Sequence, residues 1–126
     1  MINLSRLLIL LLMVSALTCW AEPAAAARLA NVSGQAGDQE QREDASFKLG
    51  SHSQVQIQYK INALDKGCNV LVRVHRKQDN GDWLLVTTSL RTNKSTSGTR
   101  DLTLSAGDYK IEVISKHAKY DISVDM

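Results

Sequence analysis

The sequence from Ser46 onward alternates apolar and polar residues, and this period of two constrains the fold more than any other feature. Residues 55–61 alternate valine, isoleucine and tyrosine with glutamine and lysine, and residues 70–75 alternate valine with leucine, arginine and histidine. Successive side chains of a strand point to opposite faces, so each run predicts a strand with one buried face. The same pattern recurs over residues 102–104, 109–113 and 120–124.

Turn signals separate these runs. Asp79-Asn80-Gly81-Asp82 contains the Asn-Gly pair favoured in two-residue hairpin turns, and Ala106-Gly107-Asp108 marks a second turn. Six or seven short strands at intervals of about ten residues are typical of an antiparallel sandwich or barrel. We therefore predict one all-β domain over residues 46–126, a small antiparallel β-sandwich with jelly-roll-like connections.

The N-terminal residues have the three parts of a secretory signal. Arg6 precedes the apolar run Leu7–Val14, and the small residues Ser15, Ala16, Thr18 and Ala21 follow it. The run is too short to span a bilayer, which takes about 20 residues. We predict a signal peptide over residues 1–21, a periplasmic or extracellular location, and no integral membrane span.

Whether the mature protein keeps one cysteine or two depends on where the signal peptide is cleaved. Cleavage after Ala21 removes Cys19 and leaves Cys68 alone, where we interpret it as a small buried hydrophobe. Cleavage after Ala16 would retain Cys19 and permit a disulfide between the two. Lipid attached to Cys19 would anchor the domain, and a cut after Ala27 would shorten what precedes it.

Residues 22–45 differ in composition from the rest. They are rich in Ala, Gln, Gly, Asp and Glu, with Leu29 and Val32 as the large apolar residues. Such a segment buries too little apolar surface to offset the entropy of ordering it. We predict a flexible tether, with a frayed helical turn over residues 38–44 as a local alternative.

The overall charge excludes some partners. The chain has 15 Lys and Arg residues against 13 Asp and Glu residues. Phosphate backbones are usually bound through a strong basic excess, so we predict no nucleic-acid partner and no polybasic membrane anchor.

The sequence lacks the catalytic and metal-binding motifs that we considered. No Gly-x-Ser-x-Gly elbow occurs. His52, His75 and His117 lack the His-x-His spacing of strand-borne metal sites, and we interpret them as solvated surface side chains. The acidic residues at 79–82 are explained by the hairpin without calcium. We predict no catalytic residue, no metal and no cofactor, and a hydrolase is the least favoured function.

The candidate ligand-binding residues are basic or aromatic. Arg73 and His75 occupy outward positions of one strand, and Lys60 an outward position of a strand expected beside it. Together they predict a basic patch for an anionic glycan or peptide, with an ordinary solvated face as the alternative. Trp83 follows the hairpin and is either an exposed platform for sugars or a ring packed on the sandwich edge.

The chain resembles the bacterial pre-peptidase C-terminal domains, small secreted β-sandwiches often attached to exported proteases. The resemblance covers nearly all of residues 46–126 and is carried by the segments 47–49, 55–59, 69–74, 102–113 and 120–124. It implies a secreted sandwich with an accessory role. Lys66-Gly67-Cys68-Asn69 stands where that family often has an Asp-rich strand opening, so a calcium site is not carried over.

Two functions of different classes follow. The first is an exported, non-catalytic β-sandwich that binds an envelope protein or a surface polysaccharide. The second is a structural subunit or adhesin of a cell-envelope assembly, joined through exposed sheet edges, with Thr92–Thr99 as loop or edge. The sequence leaves the oligomeric state open.

Overall fold

The computed structural model describes residues 27–126, where every regular element is a β-strand. No helix occurs in this range, so none there is long and apolar enough to cross a membrane. The eight strands are β1 (Arg28–Ala36), β2 (Gln41–Leu49), β3 (Ser53–Ala63), β4 (Asn69–Lys77), β5 (Trp83–Thr92), β6 (Thr96–Leu104), β7 (Gly107–Lys116) and β8 (Ala118–Asp125).

The strands form two four-stranded antiparallel sheets. The first sheet has the order β1-β8-β3-β6 and the second sheet the order β2-β7-β4-β5. Consecutive strands cross from one sheet to the other everywhere except at the β4–β5 hairpin. This is the connectivity of an eight-stranded jelly roll. The predicted antiparallel sandwich is confirmed.

The core lies between the two sheets and is filled by the predicted inward rows. The central strands supply most of it, because both of their edges are paired and one face is covered by the opposite sheet. Burying one such aliphatic side chain stabilises the fold by about 1.5–3 kcal/mol. The fully buried side chains of these rows include Val55, Ile57, Ile61, Val70, Val72, Val74, Ile111, Val113, Ile122 and Val124.

The predicted tether over residues 22–45 is wrong for its described part, and so is the helical turn over residues 38–44. Residues 28–36 and 41–49 form β1 and β2, which pair with β8 and β7 at one edge of each sheet. An edge strand keeps its outer face in water, so a few inward residues such as Ala30 and Val32 suffice to dock it. Residues 22–26 and the predicted signal peptide lie outside the described residues.

The predicted hairpin at Asn80-Gly81 is confirmed, but its loop has three residues, Asp79 to Gly81, and not two, because Gly81 has a positive φ and Asn80 does not. Gly81 has φ +89°, and its backbone N–H donates to the carbonyl of Gln78 at 2.9 Å. The Asn80 side-chain oxygen accepts a hydrogen bond from the backbone N–H of Asp82 at 2.9 Å. These polar groups therefore form hydrogen bonds within the turn itself.

A single residue, His117, connects β7 to β8 and carries the chain from the second sheet to the first. Its φ of 50° is left-handed, its N–H donates to Gly37 O, and its carbonyl accepts from the N–H of Leu64. Its imidazole Nδ1 lies 2.9 Å from Asp65 Oδ2, and its Nε2 lies 3.3 Å from Asp38 Oδ1. The prediction of a solvated side chain is wrong here. This imidazole lies between β7 and β8 and contacts Asp38 in the β1–β2 connection and Asp65 in the β3–β4 connection.

The first and last described residues are neighbours. The N–H of Ala27 donates to Met126 O at 3.1 Å, and the N–H of Met126 donates to Ala27 O at 2.8 Å. The pair extends the β1–β8 ladder by one residue at the end where Arg28 opposes Asp125.

Both edge strands of the first sheet place a glycine opposite a tyrosine of a central strand. Gly34 opposes Tyr120, and Gly98 opposes Tyr59. A Cβ added at Gly34 would lie 2.9 Å from the Tyr120 hydroxyl, and one added at Gly98 would lie 3.0 Å from the Tyr59 hydroxyl. These glycines give room for the rings, an arrangement in which an aromatic side chain covers a strand glycine.

We expect Gly34→Ala to destabilise the fold by about 1–3 kcal/mol, the usual cost of overpacking. The Tyr120 ring is 2% exposed and cannot swing away, and Glu43 Oε1 lies 3.1 Å from the same added carbon. Urea unfolding measures the loss. Gly37→Ala is the control, because an added Cβ there has no neighbour within 4 Å. Equal midpoints for the two variants would contradict the account.

Candidate ligand-binding face

Three of the four predicted binding residues share one surface. Arg73 and His75 point outward from β4, and Trp83 lies on β5 opposite Lys77, an outward position of β4. We call the outer surface of the second sheet the Trp83 face.

Lys60 does not belong to this surface, and the prediction of a joint patch with it is wrong. Lys60 lies on β3, whose neighbours are β6 and β8 in the first sheet, so its side chain is on the opposite outer face. The alternation in the sequence tells which face of a strand is outward. It does not tell which sheet the strand joins.

An ion-pair cluster lies at the centre of the Trp83 face. Arg73 opposes Glu112 of β7, and its Nη2 and Nε donate to Glu112 Oε1 at 2.6 and 3.1 Å. His75 Nε2 lies 3.4 Å from the same oxygen, with an orientation too poor for a hydrogen bond. Its side chain is 13% exposed, so the prediction of a solvated histidine is wrong for His75 as well.

The cluster changes the ionisation of Glu112. Burial alone would raise the pKa of this carboxyl, but the hydrogen bond and charge of Arg73, with a smaller contribution from His75, lower it below its usual value. The sequence indicated that Glu112 points outward, since it stands between Ile111 and Val113. It did not indicate which strand would lie opposite.

Trp83 occupies one end of the face, where a cleft of ≈ 470 Å³ is lined by its ring, Lys48, Lys77 and Asp108 among others. The ring is 37% exposed, and Lys110 Nζ lies 4.9 Å from its centroid, within the range of a cation–π contact. The indole is thus partly exposed, and the Lys110 ammonium lies over its ring.

A second depression of ≈ 240 Å³ lies at the other end of the face. Leu71 and Ile114 are half-buried residues of its lining, and Arg42, Arg73 and Lys116 bring positive charge to it. The two depressions lie on either side of the row formed by Arg73 and Glu112. Glu40 also lines this depression, and its Oε1 lies 3.7 Å from Arg42 Nη2, so both signs of charge occur at this end of the face.

The two outer faces of the sandwich differ in charge. On the Trp83 face, basic side chains outnumber carboxylates: Arg42, Lys48, Arg73, Lys77, Arg91, Lys110 and Lys116 against Glu40, Asp44, Asp108 and Glu112. The outer face of the first sheet carries mostly amides and hydroxyls with balanced charges: Asn31, Ser33, Gln56, Gln58, Lys60, Thr99, Asp101, Lys119, Asp121 and Ser123. A nearly neutral chain thus has one basic face.

Cys68 is buried and forms no disulfide with the described residues, whereas Cys19 lies outside them. Burial, with the charge of Asp65 adding to it, raises the pKa of the Cys68 thiol, which keeps it protonated at neutral pH. The interpretation of Cys68 as a small buried hydrophobe is confirmed. Within residues 27–126 no group of three or more His, Cys, Asp or Glu side chains is placed to hold a metal ion.

Comparison with known proteins bears on the fold alone. No protein-family model matches the sequence, and no curated protein matches it significantly. A structure from Sulfurospirillum deleyianum aligns at a TM-score of 0.52 with 10% identity, covering 80% of this chain and 98% of that one.

Two further structures align at lower scores. The pre-peptidase C-terminal domain of the Bacillus anthracis collagenase aligns at a TM-score of 0.49 with 15% identity, over 82% of this chain and 97% of that one. A carbohydrate-binding module of the Cellvibrio mixtus lichenase 5A aligns at 0.40 with 11% identity, over 79% and 98%. At such identities the likeness concerns the fold alone. The antiparallel β-sandwich that the resemblance to those domains implies is present in the strand order of this chain.

Replacing Arg73 tests the electrostatics of the cluster. We expect Arg73→Gln to raise the pKa of Glu112, because burial then acts with less opposition. Because the pKa of the native carboxyl is lowered, its ionisation stabilises the fold at pH values above the unfolded-state pKa of about 4.3. This stabilisation is lost as the pH falls through the folded-state pKa. The stability difference between native protein and variant should therefore shrink on acidification.

Carbon-detected NMR titration of the Glu112 carboxyl measures the pKa directly. Arg91→Gln is the matched control, since it removes the same charge from the same face at a position opposite Leu71. An unchanged Glu112 titration in Arg73→Gln, or an equal shift in both variants, would show that the ion pair does not set this pKa.

Proposed function

We propose that this chain is an exported, non-catalytic binding module that holds an anionic polysaccharide on the Trp83 face. The observation that carries the proposal is the gathering of basic side chains around a half-exposed tryptophan on one face of a nearly neutral chain. The proposal includes the signal peptide over residues 1–21 and hence a periplasmic or extracellular location.

The chemistry of the face suits sugar acids. Arginine and lysine side chains pair with carboxylate or sulfate groups, and a planar guanidinium does so with two hydrogen bonds. Glu112 fixes one edge of the Arg73 guanidinium, which orients the group before a ligand arrives. The part of the Trp83 ring that Lys110 leaves exposed would supply an apolar surface for the C–H groups of a sugar, and the Lys110 ammonium over the ring would provide a positive charge.

The opposite outer face supports the choice of site. Its amides and hydroxyls include paired groups such as Asn31 Nδ2 with Asp121 Oδ1 at 2.9 Å, and no ring stands exposed among the outward side chains named above. It offers neither a net charge nor an aromatic surface. A ligand that selects charge and stacking together would therefore choose the Trp83 face.

Binding to a panel of acidic and neutral polysaccharides tests the proposal. Lys110→Ala and Trp83→Ala should each weaken binding of the acidic polymers about tenfold, equivalent to about 1.4 kcal/mol. Lys60→Ala removes the same charge from the other outer face and should leave binding unchanged. Affinity should also fall as salt is added, since these charges are largely exposed.

Equal binding of neutral and acidic polymers, or an equal loss in Lys60→Ala, would contradict this assignment. Retention of an envelope protein on the same face, with no polysaccharide bound, would move the function to the protein-binding alternative. Hydrolysis of any polymer in the panel by the purified protein would contradict the non-catalytic part of the proposal.

A further inference from the structure

His75 lies at the centre of the Trp83 face and has a ring nitrogen with no partner. Its Nε2 is the one buried side-chain nitrogen among residues 27–126 that makes no hydrogen bond. Glu112 Oε1 lies 3.4 Å away, but this oxygen already accepts two hydrogen bonds from Arg73. An unpaired buried polar atom costs free energy, so the position of this imidazole calls for a physical explanation.

The charged groups around His75 are mostly cations. Along β4 it stands between the outward Arg73 and Lys77, and on β7 it opposes Lys110. On its other side, β5 places an uncharged residue opposite it. Glu112 is the carboxylate that approaches the ring, and Arg73 already balances its negative charge. A proton added to His75 therefore changes the cluster of Arg73, Glu112 and His75 from neutral to cationic.

The chemistry of the ring determines which nitrogen takes that proton. Burial raises the pKa of the Glu112 carboxyl, but Arg73 and His75 together lower it below its usual value, so the carboxylate is ionised at neutral pH. An imidazole nitrogen that faces a carboxylate carries its hydrogen, which leaves the neutral ring with a bare lone pair on Nδ1. Protonation converts Nδ1 from an acceptor into a second donor.

We propose that His75 couples ligand binding on the Trp83 face to proton uptake, so that an anionic polysaccharide is held more tightly in mildly acidic than in mildly basic solution. The inference rests on the proposed function and adds a regulation of the same site. Histidine is the side chain that changes its charge between about pH 5 and about pH 8, whereas the lysines and arginines of the face stay charged throughout.

The charges of the face explain the coupling. An added positive charge on His75 faces three cations, namely Arg73, Lys77 and Lys110, and the sulfate or carboxylate groups of a ligand supply the negative charge that offsets them. His75 and Glu112 are nearly buried, so water screens this attraction less than it would at an exposed site. By reciprocity, the proton raises the affinity for the ligand by the same factor as the ligand raises the affinity for the proton.

The direction of the pH dependence follows from this coupling. Below the range in which histidine titrates, the cluster is cationic and the additional affinity is fully present. The additional affinity is lost as the pH rises through that range, because the ring becomes neutral while Glu112 remains ionised. The other cations of the face retain a weaker affinity at high pH.

Isothermal titration calorimetry of the purified full-length protein with dextran sulfate, at constant ionic strength, tests the inference. Sulfate esters stay ionised over the whole range, so a change of affinity reports on the protein and not on the polymer. Affinity should rise at least about fivefold from about pH 8 to about pH 5.5. Near neutral pH, the binding heats in buffers of different ionisation enthalpy should show proton uptake, and the nitrogen NMR signals of the His75 ring should move toward those of imidazolium.

Three variants assign the effect to one residue. His75→Gln should bind with nearly equal affinity at both pH values, because it cannot take up the proton. His75→Lys carries a charge that does not titrate in this range, so at high pH it should bind as tightly as the native protein does at low pH. His52→Gln is the matched control and should keep the native pH dependence, because His52 is exposed in the β2–β3 connection, outside the Trp83 face.

The outcomes separate this inference from the proposed function. Binding of dextran sulfate with the same affinity at both pH values would overturn the inference and leave the proposed function standing. A pH dependence that persists in His75→Gln would also overturn it, because another group would then take up the proton. Failure of the native protein to bind dextran sulfate or carboxylated polysaccharides at either pH would overturn the proposed function and this inference with it.

Discussion

The structure depends on one constraint: each of two sheets has a single apolar face, and the two faces must be buried against each other. Rows such as Val70, Val72 and Val74 from one sheet and Ile57 and Ile61 from the other meet this condition. The same alternation leaves the residues of both outer faces outside the core, where they are not constrained by core packing. Charge can therefore accumulate on one of them, around Arg73 and Glu112, without cost to the core.

Strands with strict alternation were predictable from the sequence, and so was β5 as the strand that returns from the hairpin, whereas β1 and β2 were not. β3, β4, β7 and β8 carry the long inward rows, and the Asn80-Gly81 turn signals its own hairpin, so all of these were expected. β1 and β2 were missed because edge strands need few large apolar residues. Their composition matches that of a disordered tether, although pairing with β8 and β7 orders them.

The candidate site was predictable only in part, because it depends on contacts between distant strands. Arg73, His75 and Trp83 were selected by residue type and do share one face, whereas Lys60 was assigned to a neighbour that belongs to the other sheet. Glu112 was missed, since its role appears only when β7 lies beside β4. Pairing across such sequence separations leaves no local pattern in either strand.

The hydrogen-bonded pair of Ala27 and Met126 has a mechanical consequence. Force applied between these two residues would peel β1 from β8 one hydrogen bond at a time, starting at the end where they are held, so little force would be needed. Force applied between Ala27 and Trp83 would instead cross the width of the sandwich and load many backbone bonds and core contacts together. The direction of pull, more than the total stability, would decide whether this domain stays folded under tension.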